Sequence, residues 1–217
     1  MKHLSIGMAL LLVLLVAPRA HAQDQAKVFV RPLLAATVGA GPGAVFGATF
    51  VMKADRINPK LQITGELGRM SNIMPSSVAD QIDIAAAKVA DPLGGKASSR
   101  TTASANYGMG GFRYRMRDVN EAQTFTEIGI GVASVRSHVS AQIRGSETLQ
   151  GDISNLVSTP FTAAGTQTKP MVAIGGGMIL GVSRNMAVEL GYRYVRVFTN
   201  NPAINMSKIF GGVQLGF

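Results

Sequence analysis

Two segments near the end of the chain alternate with a period of two. From Met186 to Val197, the residues Met186, Val188, Leu190, Tyr192 and Tyr194 share one parity, and Ala187, Glu189, Gly191 and Arg193 share the other. From Ile209 to Phe217, one parity carries Ile209, Gly211, Val213, Leu215 and Phe217, and the other carries Phe210, Gly212, Gln214 and Gly216. Side chains point to opposite faces at successive positions only in an extended strand, so both segments read as strands. The charges of the first segment lie where a soluble sheet would place its core. A soluble sandwich or ligand-binding barrel turns the apolar parity inward, whereas a membrane barrel turns it to lipid and keeps polar residues inside. Alternation alone does not choose between the two.

The start of the chain weights the choice. Met1 to Ala22 has the form of a secretory signal: a basic start at Lys2, an apolar run from Leu4 to Val16, and a small-residue site at Ala20-His21-Ala22. The run is 13 residues long, short of the roughly 20 that a membrane-spanning helix needs. Cleavage after Ala22 is expected, leaving one domain over residues 23–217. No later stretch is long and apolar enough for a transmembrane helix, so residence in a membrane would require a closed barrel, in which every strand has two hydrogen-bonded neighbours. The absence of cysteine excludes disulfides, thiol catalysis, Cys-type zinc sites and a lipoprotein anchor. The formal charge of +9 falls to about +7 when Lys2 and Arg19 leave with the leader. In an exported chain without a nucleic-acid module, that excess points to anionic lipid rather than to nucleic acid.

Six further strands precede the final pair. They are expected over Val28 to Val38, with Pro32 an awkward occupant; Ala44 to Met52; Leu61 to Met70; Arg100 to Met116; Gln123 to Val135, extending weakly to Ile143; and Lys169 to Val182. In the fourth, the apolar parity moves from Ala103, Ala105, Tyr107 and Met109 to Phe112 and Tyr114 across Gly110 and Gly111, which predicts a β-bulge there. Between Ser71 and Ser99 the Ala-rich stretch Val78 to Val89 predicts a capped helix, opened by Pro75-Ser76-Ser77 and ended by Asp91-Pro92. Such a helix would pack on a barrel rim, with a ligand-gating lid as the alternative. Gly145 to Gln167 is a Ser/Thr/Gly-rich loop. With both ends of the domain in the periplasm, the turns Lys53 to Lys60, Arg117 to Ala122 and Ser183 to Asn185 fall on that side. Both long connections fall outside, the arrangement expected of an outer-membrane barrel.

The leader, the eight alternating segments and the end Val213 to Phe217 together resemble the eight-stranded outer-membrane β-barrel domain family, the architecture of the transmembrane part of outer-membrane protein A and of small opacity and adhesin barrels. The resemblance implies an all-β, antiparallel eight-stranded transmembrane barrel with a short helix in its long second external loop. It also implies a non-enzymatic, membrane-embedded role. Val213, Leu215 and Phe217 match the C-terminal signature that the family's insertion machinery reads. With Phe217 last, a monomeric barrel without a further domain is expected.

If the apolar parity faces lipid, Glu66, Glu127, Glu189, Arg113, Arg115 and Arg193 point into a lumen just wide enough for side chains to fill. Buried charges must pair or meet water, so these six are expected to form a plugging network, with a weakly conducting pore as the alternative. Arg69, Arg100, Arg136, Lys169, Arg196 and Lys208 lie near the external strand ends and are expected to contact lipopolysaccharide phosphates. Strand ends that reach water carry charges for that reason alone.

No catalytic, cofactor or metal constellation emerges. His138 is the one histidine after the leader, and with Ser134 and Ser140 nearby it leaves open a lipid-A-modifying hydrolase, although no orienting acid can be placed. The glycines of Gly108 to Gly111 and Gly175 to Gly177 lie in strands and not before a helix, which removes a phosphate-cradle reading. A soluble periplasmic ligand-binding barrel is the third alternative.

Overall fold

A computed structural model describes residues 27–38, 42–93, 95–119, 122–144, 150–152, 166–183, 185–199 and 203–217. The expected leader, Met1 to Ala22, lies outside the described residues.

Among the described residues, alternation is converted into nine strands: β1 (Val28–Val38), β2 (Gly43–Lys53), β3 (Leu61–Met70), β4 (Lys96–Val119), β5 (Ala122–Arg144), β6 (Gln150–Asp152), β7 (Thr166–Ser183), β8 (Met186–Val197) and β9 (Ile204–Gly216). All but β6 form an antiparallel meander, and β1 pairs with β9 to close it. The short β6 pairs only with the outer end of β5. One row of paired residues runs from Met186 through Leu215, Val30, Phe50, Gly65, Gly110, Ile130 and Val172 to Arg196, returning to β8 ten residues further on. A sheet closed with that offset must tilt its strands by roughly 35–45° to the barrel axis, and eight strands then leave an interior that side chains can fill.

The ends of the domain meet at one end of the barrel, where Phe217 N–H donates to Val28 O at 2.9 Å and Lys27 N–H to Phe217 O at 3.2 Å. Pro32 has no N–H to give. Pairing of β1 with β9 skips Arg31 to Leu33 and resumes in the same register at Leu34 and Gly211, so the proline costs bonds but no alignment.

The apolar parity faces outward. Ile130, Ile209 and Leu67 are 69%, 63% and 61% exposed, and Phe46, Phe112, Ile128, Ile174 and Tyr192 are exposed with them. On β8 this band runs from Met186 to Tyr194, roughly 20 Å along the axis at the rise and tilt of such strands.

The bulge expected at Gly110 and Gly111 is absent. β4 holds one register against β3 and β5 through both glycines, and its irregularity lies between Arg115 and Asp118. Ala103, Ala105 and Tyr107 are therefore buried inside, on the same parity as Arg113, while Phe112 and Tyr114 face out. The reason is a change of interior along the axis. Going up β8 from the chain-end side, the inward residues are Ala187, Glu189, Gly191, Arg193, Val195 and Val197; going down β9 they are Ile204, Met206, Lys208, Phe210, Gly212 and Gln214. Charges occupy the middle, and the far half is an apolar core like that of a soluble protein.

A helix, α1 (Ser76–Ala90), closes that core, burying Val78, Ile82, Ala86 and Ala90 in one cluster with Met70, Ala103, Ala105, Val135 and Ala141. It is longer than the expected Val78 to Val89. Its N-cap is Pro75, which offers no side-chain cap; the Pro75 carbonyl instead accepts from the N–H groups of Val78 and Ala79 at 3.0 and 3.1 Å. The Ser99 hydroxyl donates to Asp83, tying the helix to β4. No helix among the described residues is long and apolar enough to cross a membrane.

Candidate functional site

Seven of the eight barrel strands send a polar side chain into one layer at mid-height. β1 supplies Arg31, β2 Thr49, β3 Glu66, β4 Arg113 and Tyr107, β5 Glu127, β8 Glu189 and Arg193, and β9 Lys208. Burial is close to complete: Arg31, Arg113 and Glu189 are 0% exposed, Arg193 and Lys208 1%, Glu66 2% and Glu127 7%.

The charges alternate around a closed ring. Glu66 accepts from Arg193 Nη1 at 2.7 Å, and Glu127 accepts from Arg193 Nε at 2.7 Å and from Arg113 Nη2 at 3.0 Å. Arg113 then grips Glu189 with two parallel bonds, Nη1 to Oε2 at 3.0 Å and Nη2 to Oε1 at 2.8 Å. Glu189 also accepts from Arg31. Arg31 Nη2 donates to the Thr49 hydroxyl at 2.8 Å, which donates on to Glu66 at 3.1 Å and completes the circuit. The second oxygen of Glu66 accepts from Lys208 Nζ and from the Tyr107 hydroxyl, each at 2.7 Å.

Glycine makes room for what the ring rests on. Arg31 and Arg193 both lie over the Phe210 ring, 4.9 and 5.1 Å from its centroid, and Arg113 lies 3.9 Å from that of Phe125. A Cβ on Gly191 would stand 2.4 Å from Phe210 Cζ, and one on Gly177 would stand 2.9 Å from Phe125 Cζ. β7 contributes only the space at Gly177 and no charge to this layer, while Gly191 belongs to β8. Four cations meet three carboxylates, so the layer carries one excess positive charge with all groups ionised, spread over aromatic faces that attract cations. An ion pair taken out of water holds only when its remaining donors and acceptors are also matched. Nearly all of them are here; Arg31 Nε is the exception within the ring.

Of the six residues expected in this network, Glu66, Glu127, Glu189, Arg113 and Arg193 meet in it. Arg115 does not: it sits at the next inward position of β4, half-buried, and donates to Gln123 Oε1 at 3.2 Å and Pro59 O at 3.0 Å. Four members were missed, among them the uncharged Thr49. Arg31 was hidden by the proline beside it, although it shares parity with Phe29 and Leu33. Tyr107 was placed on the wrong face by the supposed bulge. Lys208 was assigned to the rim, and its parity with Phe210 and Gln214 was the signal that it belongs inside.

The six cations expected at the external ends divide. Arg69, Arg100, Arg136 and Arg196 face outward and are exposed. Lys208 is withdrawn into the ring, where Glu66 pairs with it, and Lys169 lies on the inward parity of β7 with Met171 and Ala173. Arg69 and Arg196 are the first charged outward positions beyond the apolar runs of their strands, whereas Arg100 and Arg136 stand higher on β4 and β5. Val213, Leu215 and Phe217 lie on the outer face of the closing strand and its end.

His138 faces outward opposite Thr102, and the Ser140 hydroxyl donates to Arg100 O at 3.5 Å, so serine and histidine share a face on which the described positions of β4 and β5 carry no acid. Among the described residues no group of His, Cys, Asp and Glu could hold a metal ion.

No family model matches the chain. No curated protein matches it either. Solved structures do. Neisserial surface protein A aligns at 12% identity over 88% of this chain and 96% of its own, with a TM-score of 0.48. The N-terminal β-barrel domain of Pseudomonas aeruginosa OprF aligns at 9% identity over 89% and 98%, with a TM-score of 0.45. Ail, the attachment invasion locus protein of Yersinia pestis, aligns at 10% identity over 88% and 97%, with a TM-score of 0.44. At such identities and scores, the strand pairing and the placement of charge carry the interpretation of this chain.

Proposed function

We propose that this chain is a non-enzymatic outer-membrane β-barrel with a structural or surface-interaction role, its lumen closed to ions by the charged ring. The observation that carries this reading is the inversion of polarity: apolar side chains cover the wall while seven ionised groups lie inside it. Exposing such a wall to water would cost on the order of 25 cal/mol for each Å² of apolar surface. Leaving the charges inside is tolerable because each is matched. A soluble ligand-binding barrel needs the opposite arrangement.

In this reading the leader Met1 to Ala22 directs export and is removed, the domain ends lie in the periplasm, and α1 lies on the external side. Val213, Leu215 and Phe217 present the outer face of the last strand to the insertion machinery. Arg69 and Arg196, at the upper border of the band, meet lipopolysaccharide phosphates through charge-assisted bonds. The barrel acts as a monomer, with no cofactor and no nucleic-acid partner. Lumenal closure disfavours porin activity, and among the described side chains no acid orients His138 for the hydrolase.

Membrane fractionation with a heat-modifiable gel shift tests placement. The expected result is an outer-membrane protein whose unboiled form migrates differently from the boiled one; a soluble periplasmic protein with no shift would reject the reading. In planar bilayers, the inserted protein is expected to give no conductance steps, and stepwise conductance would reject lumenal closure.

A further inference from the structure

β4 and β5 outrun the barrel. β3 leaves β4 at Ala105, yet β4 begins at Lys96; β7 leaves β5 at Arg136, yet β5 continues to Arg144. Over this extension the two strands remain paired, with Arg100 opposite Ser140, Thr102 opposite His138 and Ser104 opposite Arg136. The inner side of the ribbon is taken by α1. The other side carries Lys96, Ser98, Arg100, Thr102, Ser104 and Asn106 on β4, joined by Arg136, His138 and Gln142 on β5. It is polar throughout, cationic, and without an acidic residue at any outward position of β4 from Lys96 to Asn106 or of β5 from Ser134 to Gln142.

We propose that this ribbon face binds the phosphorylated sugars of lipopolysaccharide in the same outer leaflet. The inference rests on the outer-membrane reading and extends it from the lipid phosphates to the saccharide above them. Two arguments select this occupant. The first is charge: Lys96, Arg100 and Arg136 present cations to phosphates, and the interleaved hydroxyls and amides suit sugar hydroxyls. The second is continuity. The face is the direct upward extension of the lipid-facing wall, since Asn106, Ser104, Thr102 and Arg100 follow Phe112 and Gly110 on one parity of β4. A molecule anchored by acyl chains beside that wall places its headgroup sugars beside this ribbon. Arg100 is four residues from Ser104, the partner of Arg136, a separation of roughly 13 Å along the strand that spans two to three sugar units. Helix packing behind the ribbon fixes these groups in advance, which lowers the entropy lost on binding.

The test uses the full barrel, folded in detergent, and three probes: phosphorylated core oligosaccharide freed of lipid A, the same oligosaccharide after phosphatase treatment, and a sulfated glycan. Binding is read by fluorescence anisotropy at two salt concentrations. Wild type is expected to bind the phosphorylated probe in a salt-sensitive manner and to lose most of that binding with the dephosphorylated one. Arg100→Glu with Arg136→Glu should weaken it by about tenfold or more, and Arg100→Ser with Arg136→Ser by less. Arg56→Glu with Lys60→Glu, exposed in the turn between β2 and β3 at the opposite end of the barrel, should leave it unchanged. A gel shift on each variant reports folding. Equal binding by wild type and the ribbon variants overturns the proposal, as does preference for the sulfated glycan over the phosphorylated core. Failure of wild type itself to fractionate with the outer membrane would instead overturn the reading beneath it.

Discussion

Arg113 is the hinge of the charged ring, because it joins two carboxylates through four donor contacts across β5 and β8. Truncating it strands Glu127 and Glu189 with one guanidinium partner each. Arg113→Ala is expected to destabilise the folded barrel by about 3–5 kcal/mol, read as a lower midpoint of urea unfolding in detergent or lipid. Arg115→Ala, which removes a rim contact outside the ring, is expected to cost under about 1 kcal/mol in the same measurement. Equal losses would show that the ring confers nothing beyond a strand-end contact. Gly191 offers a complementary change. Gly191→Leu drives a side chain into Phe210, on which two ring arginines stack, so slowed or failed refolding is expected, scored by the heat-modifiable shift. The acids of this ring were readable from period-two alternation because each sits opposite bulky apolar neighbours. Arg31, Lys208 and Tyr107 were not read as members, since a proline, a nearby loop and a run of alanines obscured their parity.

At the scale of elements, β8 and β9 were legible at once, and Val28 to Val38 and Leu61 to Met70 emerge with the same bounds in the fold. The errors concentrate where two environments share one strand. β4 passes from lipid-flanked wall to a ribbon backed by α1, so small apolar residues line its inner face above the charges. Read alone, they mimic an outward apolar parity after a bulge. α1 itself was predictable from composition, but its role in sealing the interior depends on contacts between segments distant in sequence. Its seal is separable from the barrel. Ile82→Asp buries a charge among Met70, Ala103 and Ala86 without a partner, and is expected to expose the loop around α1 to protease while the barrel retains its gel shift. Loss of both together would mean that α1 is required for closure. On the outer wall, Ile130→Arg is expected to cost about 2–4 kcal/mol in a bilayer, whereas Arg136→Ile, above the band, should be tolerated; urea titration of both in lipid vesicles checks the depth of the band.

For the whole molecule, closure and inversion are one statement. A barrel with no edge satisfies its backbone without water, which frees the outer face to be apolar and obliges the inner one to hold the ions. The chain lacks cysteine, so single cysteines can report on every face in turn. The most direct measurement places Leu67→Cys, Ile130→Cys and Ile209→Cys, each labelled with a small fluorophore, in bilayers whose acyl chains carry bromine. All three are expected to be quenched by the brominated chains and shielded from iodide in the water. Strong iodide quenching at these positions, with no effect of bromine, would place the apolar wall away from lipid and contradict the account.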